Sequence, residues 1–359
     1  MSRPTFMTID LAALKANLRR VQALAPGRSI IAMVKANAYG HGIERVAHGL
    51  SEADALGVAS LEEGIRLREA GISQPIVLME GLFFADELME AEKHDFTLFV
   101  HHLPHVEILE KAMCKKPLSI WLKINTGMHR LGIDPSQTET IYKRLLKAAS
   151  VKKPIGLMTH FAEADLLSSN ATINQLHTFN QATKQLDGPR SLANSAGIIA
   201  WPDTHGDWVR PGLMLYGASP FADKTGLDHG LQPVMTLWSR LIAITNVKRG
   251  GKVGYGGTWT APCDMQVGVV GVGYGDGYPQ FAKNGTPILV NDTACELVGR
   301  VSMDMLMVDL RNQPNAKIGD RVVLWGEGLP VEQVARYSNT SAYEILTRMT
   351  PRPKIEVMT

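Results

Sequence analysis

The apolar residues change their spacing along this chain, and the change divides it in two. Through the first two thirds, short unbroken apolar runs alternate with stretches of amphipathic, helical period. The runs at 30–34, 55–59, 75–79, 96–100, 118–124, 154–159, 191–194 and 208–213 predict strands. Runs with no polar interruption suit parallel strands that are covered on both faces. Helical segments lie between them, such as 61–70, ended by Gly71, and 136–149. Another helix is predicted over 11–24, with Asp10 as its N-cap and Pro26-Gly27 ending it. Eight strands joined through helical segments predict an α/β fold, a parallel sheet closed as a (β/α)8 TIM-type barrel. The alternative is an open doubly wound sheet, and the number of repeats favours the barrel.

After about Leu231 the pattern becomes that of a β protein. Segments 234–247, 266–272, 287–290, 294–301, 305–310 and 321–325 read as strands with Gly, Asn and Asp turns between them. Helical period returns only at 331–337 and 343–349. The expected organisation is a barrel over residues 1–230 and a C-terminal, mainly-β domain over 231–359. A chain of 359 residues can bury two cores.

Composition removes several classes of function. Hydrophobic residues make up 45% and charged residues 20%, which is ordinary for a globular protein. A formal net charge of +2 gives no reason to expect a nucleic-acid or acidic-membrane partner. Cys114, Cys263 and Cys295 are far apart and form no CxxC pair, which fits a reducing compartment. The N-terminal MSRPTFMTID has no basic region followed by an apolar one, and no window approaches the ~20 apolar residues of a membrane span. The expectation is a soluble, cytoplasmic protein.

Chemistry is expected where barrel strands end, because catalytic groups sit at the C-terminal face of such barrels. Lys35 ends the apolar run 30–34, and Asn37, Tyr39 and two glycines follow. A lysine at the mouth of an apolar sheet can serve as a base or Schiff-base former, or it can simply snorkel to solvent. Lys123 and Arg130 follow the fifth predicted strand and His160 the sixth. Asn194 and Ser195 follow the seventh, while Arg210 and Gly212 belong to the eighth. Each has an innocent reading alone, a buried histidine or a paired arginine. Together they place a lysine, two arginines and small donors around one rim. The Asn194-Ser195-Ala196-Gly197 turn, at a predicted helix start, could cradle a phosphate or be an ordinary cap.

Other signals fail. The glycine-rich stretch 268–278 lacks GxGxxG spacing, and Gly251-Lys252 is followed by Val253, so it is not a Walker A lysine. There is no HExxH, and His101-His102 shows no companion at ligand spacing, so no metal site is expected.

At the level of motifs the chain resembles the alanine racemase family. The resemblance rests on AMVKANAYGHG at 32–42, WLKINTGMHRLG at 121–132, HFAEAD at 160–165 and NSAG at 194–197. It continues through WVRPGLMLYG at 208–217, VGYGGTW at 253–259, GYGDGYPQ at 273–280, GRVSMDM at 299–305 and AYEILTR at 342–348. These motifs run the length of the chain in family order.

The resemblance implies pyridoxal 5′-phosphate held by Lys35 as a Schiff base, and interconversion of L-alanine and D-alanine. Lys35 and Tyr255 would be the two acid/base catalysts, with Tyr255 reaching the active site of the partner in a head-to-tail homodimer. Arg210 would face the pyridine nitrogen. Tyr39, Ser195, Gly212 and Tyr343 would hold the phosphate, with Asn194 beside them, and His160 would stand behind Tyr255. Arg130 and the Met303 backbone would hold the substrate carboxylate. Lys123 matches a lysine that is carbamylated in some members. Tyr274, Arg300 and Asp304 would lie toward the mouth of the site. Ser302 stands where other members have cysteine. A broad-specificity racemase, a basic amino-acid decarboxylase and a cofactor-storage protein share parts of this pattern, but the Tyr255 and Arg210 motifs favour the racemase. Whether D-alanine is made for the cell wall or degraded is not legible.

Overall fold

A computed structural model describes residues 3–359 of the chain. Two compact units emerge. One contains residues 18–38 and 42–215; the other contains the residues up to Asn17, then Tyr39–His41 and Tyr216–Thr359.

The first unit is a closed parallel barrel. Its strands are β2 (Ser29–Met33), β3 (Ala55–Val58), β4 (Ile76–Leu78), β5 (Phe96–Val100), β6 (Ile120–Lys123), β7 (Gly156–Met158), β8 (Arg190–Ser191) and β9 (Trp208–Val209), numbered after the chain's first strand, β1 (Phe6–Asp10). All eight predicted barrel strands are present; β5 has its predicted bounds, β2 is shifted by one residue, and the other six are shortened by a residue or more. Closure comes from β2 pairing in parallel with β9, Ser29 opposite Trp208 and Ile30 opposite Val209. Leu56, Ile76, Leu98, Leu122 and Leu157 are at most 1% exposed, which explains the absence of polar interruption. Burying each such side chain contributes about 1.5–3 kcal/mol. Gly156 is fixed by packing, because a Cβ there would lie 2.3 Å from the Trp121 ring.

The second unit is built on an eight-stranded sheet. Its strands are β1 with β10 (Met235–Val247), β13 (Met265–Val270), β14 (Pro287–Val290), β15 (Thr293–Leu297), β16 (Leu306–Asp309), β17 (Arg321–Trp325) and β18 (Lys354–Met358). The order is β13-β16-β15-β14-β17-β10-β1-β18. A small hairpin, β11 (Lys252–Val253) and β12 (Trp259–Thr260), stands apart from it.

The sequence pattern gave no strand at 6–10 or 354–358. β1 pairs antiparallel with β10 and parallel with β18, so the chain's first strand is completed by its last. No local pattern could announce a pairing across the whole chain, and every residue of β18 is exposed. The helix Leu11–Leu24 starts as expected, with Ala13 N–H donating to Asp10 Oδ1 at 2.9 Å. Among the described residues no helix is long and apolar enough to cross a membrane.

Candidate active site

Lys35 follows β2 by one residue, and Val34 still bonds the barrel, its N–H donating to the Gly57 carbonyl at 2.9 Å. The next four residues are unusual. Ala36, Asn37, Ala38 and Tyr39 have φ of 54°, 53°, 54° and 51°. Left-handed backbone costs L-residues roughly 1–2 kcal/mol each, so the turn must be held from outside. Within the barrel unit it is held four times. Ala36 N–H donates to Glu63 Oε1 (2.7 Å) and Ala38 N–H to the Val34 carbonyl (2.8 Å). The Asn37 carbonyl accepts from Gly42 N–H (2.9 Å), and its Oδ1 accepts from Ile43 N–H (3.1 Å). This turn fixes where the half-buried Lys35 leaves the strand.

The same rim collects cations. Lys123, the last residue of β6, is 6% exposed, and burial lowers its pKa to about 8. Arg210, Arg130 and Lys35 push in the same direction, and Glu80 opposes them. His160, two residues past β7, is driven well below the usual histidine range by burial, then by Arg210, Lys123, Arg130 and Lys35. Its imidazole is therefore neutral. Arg130 is exposed on the loop 125–132, whose ends are drawn together where Ile133 N–H donates to the Lys123 carbonyl at 2.8 Å. The structure thus brings Lys35, Lys123, Arg130, His160 and Arg210 into one electrostatic set, a rim suited to anions.

Arg210 is the most constrained of them, at 2% exposure. Its Nη1 donates to Ser191 Oγ (2.5 Å), and its Nη2 donates to the carbonyls of Thr159 (2.6 Å) and Leu192 (3.0 Å). Burial lowers its pKa to about 9, so it keeps its proton at neutral pH. Its Nε is buried without a partner. Behind Thr159 a second line of polar groups follows. Thr159 Oγ1 donates to the Ile124 carbonyl (2.9 Å) and shares a 2.7 Å bond with Thr126 Oγ1. Gln175 Nε2 donates to Thr126 Oγ1 (3.1 Å) and to the His160 carbonyl (3.0 Å). Sequence reasoning found Arg210 but missed Ser191, Thr159, Thr126, Gln175 and Glu80. These are common polar types, and only barrel closure gives them a role.

The loops after β8 and β9 interlock. Asn194 caps the short helix Ser195–Ala200, its Oδ1 accepting from Gly197 N–H at 3.0 Å. Buried Ser195 Oγ accepts from Gly212 N–H at 3.0 Å. Asn194, Ser195 and Gly212 are therefore adjacent, at the end of the barrel where such folds frequently bind phosphate.

The remaining expected residues belong to the other unit. Tyr39 lies 6.0 Å from Tyr343 and 4.7 Å from Tyr216, centroid to centroid. Burial, then Tyr343, raises the Tyr39 pKa, so its phenol stays protonated. Tyr255 follows β11 on the small hairpin and is 70% exposed. The hairpin is rooted by Val253, Ala261, Met265, Val267 and Val298. Met303 is also exposed, and its carbonyl accepts from Gly275 N–H at 2.9 Å. Asp304 pairs with Arg352 at 2.6 Å, and Tyr274 N–H donates to the Ser302 carbonyl at 3.1 Å.

One sequence reading is corrected. His101-His102 does have a companion, since His105 in the first turn of the next helix brings a ring nitrogen within 4.8 Å of theirs. The HHLPH stretch hides the i, i+4 relationship behind a proline.

Comparison with known proteins identifies the family. Residues 9–220 match the family described as "Alanine racemase, N-terminal domain", and residues 234–357 match "Alanine racemase, C-terminal domain". The chain is 50% identical over 347 residues to a protein of Escherichia coli (strain K12) named "Alanine racemase, biosynthetic", covering 96% of this chain and 97% of that protein. Among solved structures it is similar to the biosynthetic alanine racemase of Pseudomonas aeruginosa, with a TM-score of 0.96 and 43% identity over 99% of this chain and 100% of that one. An alanine racemase from a D-cycloserine-producing Streptomyces lavendulae gives 0.90 and 32%, over 100% and 98%.

Proposed function

The chain belongs to the alanine racemase family, and on that premise we propose that it interconverts L-alanine and D-alanine with pyridoxal 5′-phosphate, as a homodimer whose active sites are shared between subunits. We assign it to the supply of D-alanine, in keeping with the biosynthetic role in its relatives' names.

The observation that carries the cofactor is the orphaned Nε of Arg210. A buried donor without an acceptor is costly, and a pyridine nitrogen is an acceptor of the right kind. Lys35 would hold the cofactor covalently. Tyr39, Ser195, Gly212 and Tyr343 would bind its phosphate, with Asn194 holding the helix start in place. When bound, the cofactor supplies an electron sink for the α-carbon, which a positioned acid/base worth roughly 10²–10⁴-fold cannot replace.

The chain's own groups do the rest. Arg210 keeps its proton, so it would donate a hydrogen bond to the cofactor's ring nitrogen without protonating it. The three bonds on its other nitrogens fix the direction of Nε. Lys35 Nζ would move the α-proton on one face and Oη of Tyr255 of the partner subunit on the other. The exposure of Tyr255 supports that reach. His160, held neutral, would stand behind that tyrosine as a hydrogen-bond partner. Arg130 and the Met303 N–H would hold the substrate carboxylate.

Lys123 favours a further chemical state. Its amine loses its proton near pH 8, and the neutral Nζ could attack the carbon of CO2, forming an N–C bond and releasing one proton. The resulting carbamate would be an anion beside Arg130 and Arg210. The cations that oppose the ammonium would stabilise it.

The test is the visible spectrum of the purified protein, followed by the optical rotation of added L-alanine and D-alanine. Cofactor absorbance with both enantiomers converging on an equal mixture is expected. Bound cofactor with no interconversion would move the reaction to another substrate, and no cofactor after supplementation would end the reading.

A further inference from the structure

Three histidines outside the catalytic set form a cluster of their own. His101 follows β5 directly, His102 is the residue before the helix Leu103–Lys111, and His105 lies in that helix's first turn. The ring of His102 meets His105 edge-on at 3.8 Å between centroids and stacks on His101 at 4.7 Å. His101 and His105 are 4.5 Å apart. One nitrogen from each ring falls within 4.8 Å of the others, the one such group of histidine, cysteine or acidic ligands among the described residues.

Hydrogen bonds to backbone carbonyls set the tautomers of His101 and His105. His101 Nε2 lies 2.8 Å from the Glu80 carbonyl, and His105 Nε2 lies 2.7 Å from the Leu82 carbonyl. A carbonyl can only accept, so each Nε2 carries the proton and each Nδ1 carries the lone pair. Imidazoles that ligate metals are oriented in this way, with the second ring nitrogen donating to a backbone carbonyl. His105 is 4% exposed, and its Nδ1 is buried with no hydrogen-bond partner. A buried lone pair without a donor costs free energy that a bound cation would recover.

We propose that His101, His102 and His105 bind a divalent transition-metal ion of the zinc type through three imidazole nitrogens, leaving a fourth position open to water. Three neutral nitrogens with no carboxylate select zinc, cobalt, nickel or copper over magnesium or calcium. Zn–N bonds of 2.0–2.1 Å put nitrogens roughly 3.4 Å apart, so the cluster must tighten. His102 can do this, being exposed and making no side-chain cap bond to the helix. The other two are already fixed through the 80–82 turn. A Cβ on Gly81 would lie 2.3 Å from the Phe99 carbonyl and 2.6 Å from His105 Cε1. An ion here would tie a strand end, a helix start and that turn together.

The experiment uses the chelator-treated, desalted holoenzyme and its His102→Ala variant. Zn2+ binding is followed by calorimetry, Co2+ binding by visible difference spectra, and melting is measured with and without Zn2+. The expected result is about one equivalent of Zn2+ per chain and a Co2+ spectrum of four-coordinate intensity. His102→Ala should melt with the parent in chelator, bind at least roughly tenfold more weakly, and lose the rise in Tm that Zn2+ gives the parent. Absence of saturable binding, or equal binding by parent and variant, would overturn the site. None of these readouts depends on turnover, so failure here leaves the proposed racemization untouched.

Discussion

Arg210 Nη1 donates to Ser191 Oγ at 2.5 Å, with both residues at most 2% exposed. The bond joins two adjacent strand ends, β8 and β9, and aims a charged group that is held by a hydroxyl and two backbone carbonyls. Hydrogen bonds to charged groups contribute about 1.5–3 kcal/mol net. Ser191→Ala should therefore destabilise the protein by that order, with an unchanged slope in urea unfolding. It should also weaken cofactor binding, because Nε loses one of its three restraints. Parent-like urea midpoint and cofactor affinity would show that the bond neither stabilises the barrel nor orients Arg210.

The low pKa of His105 has a defined effect on stability. Its folded value is about 4, against about 6.5 in an unfolded chain. Between those values the unfolded chain holds a proton that the folded one does not. Stability is therefore complete above about pH 6.5 and falls as the pH drops toward 4, with a slope of at most about 1.4 kcal/mol per pH unit. His105→Gln keeps a donor for the Leu82 carbonyl but does not titrate. In chelator, the difference between variant and parent should shift in the variant's favour across that window. A constant difference from pH 7 to 4 would refute the assignment.

The eight barrel strands were legible because both of their faces are buried, which leaves an unbroken apolar run as their signature. β1 was not, since its alternate residues are half-exposed and its partners lie more than 220 residues away in sequence. The site divides in the same way. Lys35, His160 and Arg210 could be found because a strand end marks each. Thr159, Thr126 and Gln175 could not, because they act through other side chains and carry no motif. The left-handed turn at 36–39 was equally hidden: Ala36 and Ala38 have no intrinsic preference for φ near 54° and are held there by Glu63 and Val34.

Lys123 offers a reading of its own modification. As a free amine it is depressed to about 8 from 10.5, so its ammonium opposes folding below pH 8, and the penalty is relieved as the pH rises toward 10.5. Lys123→Met would then stabilise the protein at pH 7. As a carbamate, the side chain is an anion among cations, and the same variant would destabilise it. We expect the second outcome, together with a native mass at neutral pH that exceeds that of the chain with its cofactor by one CO2, an excess lost after acid treatment. An unmodified mass, with Lys123→Met more stable at pH 7, would exclude the carbamate.

Sharing of the active site between subunits can be read from two inactive proteins. Lys35→Ala removes the residue that would hold the cofactor, and Tyr255→Phe removes the hydroxyl on the opposite face. Tyr255 is 70% exposed on its hairpin, so Tyr255→Phe should melt with the parent and keep its cofactor while losing racemization in both directions. Each variant alone forms dimers with two damaged sites. When the two are unfolded or dissociated together and reassembled at equal amounts, half of the dimers carry one chain of each kind. In such a dimer one site has both defects and the other has neither, provided that lysine and tyrosine come from different chains. Activity should then return to roughly a quarter of the parent's, as expected for a two-fold assembly with one intact site in half of its dimers. If both residues of a site came from one chain, every site in every dimer would stay damaged and mixing would restore nothing. Recovery therefore separates a shared site from a self-contained one without a structure of the dimer.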